Sequence, residues 1–66
     1  MRDFIIEAQH FNTGNFYILG SADTAVEAYR WADMYERGGE KGVRVRQYDR
    51  VGKLHDVCRP SFERLS

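Results

Sequence analysis

The chain has one cysteine and one proline in 66 residues, and its ten Lys plus Arg are matched by ten Asp plus Glu. A lone Cys58 closes no internal disulfide, so the fold must stand on packing alone, as suits a reducing cytosol. No apolar run approaches the ~20 residues that span a bilayer, so no membrane association is expected. The opening Met1-Arg2-Asp3-Phe4-Ile5-Ile6-Glu7 meets an acid after only three apolar residues. It therefore predicts no signal peptide and a cytoplasmic location. Size excludes more. A domain of about 60 residues buries only ~60% of its unfolded surface, which leaves little room for a deep cleft with a catalytic shell. The expectation is one small, non-enzymatic domain covering residues 1–66.

What is present begins with a hidden polarity. Residues 1–40 hold seven acids against three arginines, a net of −4, while residues 41–66 hold the reverse, +4. Such asymmetry between halves points toward a partner. Hydrophobic content of 42% is enough for one thin core, so wholesale disorder is not expected.

Periodicity predicts five elements. Residues 3–11 alternate as a strand, with Phe4, Ile6 and Ala8 on one face. After Asn12-Thr13-Gly14, residues 15–20 read as a second strand. A three-residue loop ending in Gly sets Ala8 opposite Ile18 and His10 opposite Phe16, and a two-residue Thr13-Gly14 turn is the rival. Thr24 with Glu27 three residues on is a capping box, with Asp23 adding charge at the positive helix end. Ala25, Ala28, Tyr29, Ala32 and Tyr35 then form one stripe, and Gly38-Gly39 stops the helix, giving residues 25–37. Val43, Val45 and the alternation through Tyr48 predict a strand over 43–49. Arg50-Val51-Gly52 is a turn, and a strand over 53–58 ends before Pro60, which cannot continue a ladder. In this register Val45 faces Val57 and Arg46 faces Asp56. The tail, 59–66, has Phe62 and Leu65 on one side of a single helical turn. The fold class is α+β: a two-layer, four-stranded antiparallel sheet, β-β-α-β-β, with one helix on one face.

A single helix covers a single sheet face. The register above directs Phe4, Ile6, Ala8, Phe16, Ile18, Val43, Val45 and Val57 to the helix, and leaves Ile5, Phe11, Tyr17 and Leu19 on the open side. An uncovered patch of that kind marks a protein partner or a self-association surface, unless the Phe62/Leu65 segment folds across it. Trp31, at the edge of the helix stripe, and Met34 beside it extend the candidate interface. A second candidate is Arg44, Arg46, Tyr48, Arg50 and Lys53, where arginines interleaved with an aromatic suit phosphates and a stacked base, or an acidic partner. Against nucleic acid stand the Arg46–Asp56 pairing and a pI near 6.7, below the value above ~9 usual in dedicated binders.

Chemistry-bearing patterns are sparse. His55 and Cys58 are three apart on a strand and point to opposite faces, so they neither share a metal nor form a dyad. Two histidines and one cysteine fall short of a four-ligand structural zinc site unless carboxylates help. His10 reads as a hairpin-end residue beside Phe16. The Gly38-Gly39-Glu40-Lys41-Gly42 run follows a helix, whereas a phosphate cradle must precede one. No catalytic residue, cofactor, metal or small-molecule substrate is expected.

The run Phe16-Tyr17-Ile18, then Ser21-Ala22-Asp23-Thr24-Ala25-Val26-Glu27-Ala28, Val43-Arg44-Val45-Arg46 and Gly52-Lys53 resembles a layout found in small bacterial and phage proteins. There a strand leads into a capped, Ala-rich helix and then a Val-rich hairpin. Some compact anti-CRISPR proteins are similar in layout and size. The resemblance covers most of the chain and implies the role of a mobile-element inhibitor. Its motifs are structural, so no functional residue is carried over.

Overall fold

The structure, a computed structural model, describes residues 3–59. The expected helical turn with Phe62 and Leu65 lies outside the described residues. The elements are β1 (Phe4–Gln9), β2 (Phe16–Ala22), α1 (Ala25–Arg37), β3 (Arg44–Tyr48) and β4 (Leu54–Asp56). They form one antiparallel sheet in the order β2-β1-β3-β4, with α1 on one face, the α+β class that the periodicity predicts. No helix among the described residues is long and apolar enough to cross a membrane.

The strand order follows from the helix. β2 enters α1 and α1 leads to β3, yet β3 pairs with β1 and not with β2. The crossing helix needs a strand beneath it, and β1 fills that gap. β1 suits a central place because four consecutive residues, Ile5 to Ala8, are buried. A strand buried on both faces reads as a continuous apolar run, broken here only by Glu7.

Thr24 adopts extended backbone, and its Oγ1 accepts the Glu27 backbone N–H at 3.1 Å, covering one orphan donor of the first turn. At the other end the Glu40 N–H donates to the Tyr35 carbonyl and the Gly39 N–H to that of Glu36. This paired closure needs a left-handed residue, and Gly39 supplies it at φ +106°. Ala28 and Ala32 are buried against the sheet, so the helix lies close to Ile6, Val45 and Ala22. Fully burying Ile6 and Val45 is worth ~1.5–3 kcal/mol each. Two tyrosines anchor the helix on either side. The Tyr35 hydroxyl donates to the Leu19 carbonyl of β2 at 3.2 Å, and that of Tyr29 donates to the Val57 carbonyl just beyond β4.

The second hairpin has the expected register: Arg46 opposes Asp56, and the Val57 N–H donates to the Val45 carbonyl at 3.0 Å. The Asp49 carboxylate organises its turn, accepting the Val51 and Lys53 N–H groups at 2.9 Å each. β4 is shorter than expected, three residues in place of six.

The first hairpin departs from expectation. The His10 N–H donates to the Asn15 carbonyl and the Gly14 N–H to that of His10, so the loop holds four residues, 11–14, and not three. Gln9, Ala8 and Glu7 therefore oppose Phe16, Tyr17 and Ile18. A β-bulge then absorbs Leu19, and from Gly20 opposite Ile6 onward the pairing matches the three-residue register. The slip reverses the first half of β2. Tyr17 and Leu19 turn to the helix side, and Phe16 and Ile18 to the open side. Consequently His10 lies beside Tyr17, with ring centroids 4.9 Å apart, and not beside Phe16.

Candidate functional site: the open sheet face

The face away from α1 is lined by alternate residues of every strand: Ile5 and Glu7 of β1, Phe16 and Ile18 of β2, Arg44 and Arg46 of β3, Asp56 of β4. Its centre is charged. Glu7, only 7% exposed, sits opposite both Ile18 and Arg44. Arg44 Nε donates to Glu7 Oε1 at 2.8 Å. The same guanidinium lies over the Phe16 ring, 3.4 Å from its centroid. Arg46 reaches in three directions. One terminal nitrogen is 4.0 Å from Glu7, the other donates to the Leu54 carbonyl at 3.1 Å, and Nε lies 3.4 Å from Asp56 without an aligned hydrogen bond. A chain of contacts thus crosses the sheet from Phe16 through Arg44, Glu7 and Arg46 to Asp56.

Beside this network the β2 edge is apolar. Ile18 is 63% exposed and Phe16 37%. Ile5 shares the face but lies low between Ser21 and Arg46, and is only 8% exposed. Of the four residues expected on this surface, Ile5 alone faces it. Phe11 stands at the hairpin tip, and Tyr17 and Leu19 pack on the helix side, where the Tyr17 hydroxyl donates to Glu40. That bond, together with burial and the nearby negative charge, raises the Tyr17 pKa above its ordinary value of 10.0. Trp31 and Met34 are exposed on α1, on the other side of the sheet.

The expected basic patch is divided. Arg44 and Arg46 are engaged by Glu7, Asp56 and the Leu54 carbonyl, while Tyr48, Arg50 and Lys53 are exposed toward the hairpin tip. At that tip His55 Nε2 is 2.6 Å from Asp49 Oδ2. This bond, with those from the Lys53 and Val51 N–H groups, holds the Asp49 carboxyl below its ordinary value of 3.8.

Sequence reasoning missed Phe16 and Ile18 as members of the face; Glu7 lies on the side that its alternation with Ile6 and Ala8 gives it, but its pairing with Arg44 was not foreseen. The available signals were Gly20, since glycine inside a strand often marks a bulge, and the unbroken apolar run Phe16 to Leu19, which has no alternation to fix its facing. Comparison with protein-family models, curated proteins and solved structures returns no match.

Proposed function

We propose that the chain is a small non-enzymatic protein-binding module that engages its partner through the open sheet face. The observation that carries this reading is the exposure of Ile18 and Phe16, neighbours on β2, on the face opposite α1. Fully burying an Ile or Phe is worth ~1.5–3 kcal/mol, and roughly half of that is still to be gained here by a covering partner. Arg44 is held in place by Glu7 and Phe16, so little further side-chain entropy is lost when a partner docks. The bulge at Leu19 disfavours simple strand addition along the β2 edge, which supports docking on the face. The engagement of Arg44 and Arg46 by carboxylates supports a protein over a nucleic acid. An inhibitor that occupies another protein's working surface is one use of such a face.

The experiment is an interaction assay on purified protein, with light scattering for a second copy and capture of a protein ligand for an unlike partner. Wild type and Ile18→Lys are compared. Loss of the interaction in a folded I18K supports the face. Equal binding by both, or a wild type that is monomeric and takes no protein ligand, overturns the reading.

A further inference from the structure

Glu27, Trp31 and Tyr35 recur at every fourth residue of α1, so their side chains form one row along one side of the helix. The row faces β2 where Gly20 leaves space. A Cβ at Gly20 would stand 3.1 Å from the Tyr35 hydroxyl oxygen. Between helix and strand lies an open recess of about 350 Å³, with Ile6, Gly20 and Ser21 on the sheet side and Glu27, Trp31 and Tyr35 on the helix side. The two rings are 6.4 Å apart and tilted by 34°, forming one aromatic wall. Trp31 is 41% exposed at its rim.

We propose that this recess binds the guanidinium of an arginine presented by a partner polypeptide. The chain itself shows the chemistry twice. Arg44 lies over Phe16 while Glu7 takes its Nε–H, and Arg59 lies over Tyr29, 4.8 Å from the ring centroid, while Asp33 takes a terminal N–H at 2.9 Å. Each set joins an aromatic ring and a carboxylate around one arginine. Glu27 with Trp31 and Tyr35 is a third set of the same kind, and no cation of the described residues pairs with the Glu27 carboxylate. The ring faces attract positive charge, and the carboxylate accepts the in-plane donors. Arginine fits better than lysine because a planar cation stacks on a ring and still donates from its edge. The recess lies on the helix side, so this site stands apart from the open face and does not depend on it.

Trp31 is the chain's single tryptophan, so its fluorescence reports on this recess alone. The full chain is titrated into the millimolar range with N-acetyl-arginine amide, its lysine counterpart and the uncharged citrulline counterpart. The arginine amide is expected to give a saturable change, the lysine amide a weaker one, and citrulline none. Glu27→Gln, which keeps the backbone bond to Thr24, should weaken arginine binding about three- to fivefold. A citrulline response equal to that of arginine, lysine binding as tightly, or an unchanged affinity in E27Q overturns the proposal. Should circular dichroism show E27Q unfolded, Trp31→Leu read by the amide shifts of Gly20 and Ser21 decides the same point. Persistence of arginine-induced shifts there overturns the site, and their loss supports it.

Discussion

Arg44 of β3 lies over the ring of Phe16 on β2, 3.4 Å from its centroid, and reaches it across β1, where Glu7 holds its Nε. One side chain from the basic half of the chain is thereby fixed by two from the acidic half. Arg59 repeats the pattern with Asp33 at 2.9 Å and Glu36 at 3.8 Å on α1. The split of −4 and +4 between halves is partly settled inside the molecule, by pairs that bind the second hairpin and the chain after it to earlier elements. Less of it remains to steer a distant partner than composition suggests.

Glu7 is the buried member of the network, so its removal leaves Arg44 and Arg46 facing each other without a carboxylate between them. Glu7→Ala is expected to lower stability by about 1–3 kcal/mol, and Glu7→Gln by less because it keeps an acceptor. The midpoint of urea unfolding, with an unchanged slope, measures both.

The four-residue loop gives two adjacent apolar residues, Ile18 and Leu19, opposite roles. Leu19→Ala should cost about 1–3 kcal/mol, since the side chain packs against the core. Ile18→Lys should leave stability within about 0.5 kcal/mol. The register with a three-residue loop and no bulge, which sets Ile18 opposite Ala8, gives the opposite ranking, so thermal or urea melts of the two variants discriminate the arrangements.

The two hairpins show what is readable from sequence and what is not. The helix with its Thr24 cap and Gly39 stop, and the Asp49–Lys53 turn, rest on contacts within about six residues, and their residue types announce them. Strand order becomes legible only once α1 is seen to need β1 beneath it. The facing of Phe16 to Leu19 is set by two irregularities that offset each other, a four-residue loop and one bulged residue. A run of four apolar residues offers no alternation to reveal either. Tyr17 is drawn to the helix side partly by Glu40, a partner too remote in sequence to be read from local pattern.

Asp49 links the hairpin turn to pH. Its folded pKa lies below the ordinary 3.8, chiefly through the bond with His55 and then the Lys53 N–H. A depressed carboxyl stabilises the fold fully above its unfolded value, and that contribution is lost as pH falls through the folded value. Unfolding midpoints measured from pH 5 down to pH 2 should therefore fall, and Asp49→Asn should flatten that part of the profile. Tyr17 acts at the opposite end. Its pKa is raised by Glu40, so its contribution is complete below about 10 and lost as pH rises through the folded value. Absorbance titration comparing wild type with Tyr17→Phe should show one late-ionising phenol missing.

Gly42 is required twice over at the entry to β3. Its φ is +62°, and a Cβ there would meet the Gln9 Cβ at 2.9 Å. Next to it the Gln9 N–H donates to the Lys41 carbonyl at 2.9 Å, so the two backbones cannot separate without losing a ladder bond. Gly42→Ala should cost about 1–3 kcal/mol. Gly39→Ala, where φ is +106° but nothing lies within 4 Å of the added carbon, should cost less. Paired denaturant curves give the ranking.

The placing of β1 between β2 and β3 has a consequence for the order in which the molecule assembles. Phe4 meets Ala22 on one side through a short hairpin, but meets Gln47 on the other only after the helix and its loop have been laid across. The first pairing is local and fast, whereas the second must close a loop of about forty residues before any contact rewards it. Until that second pairing forms, Phe4-Ile5-Ile6 is expected to have one edge of its backbone unserved, the kind of edge on which a second chain can pair. The strand best hidden in the finished protein is therefore the one expected to complete its pairing last.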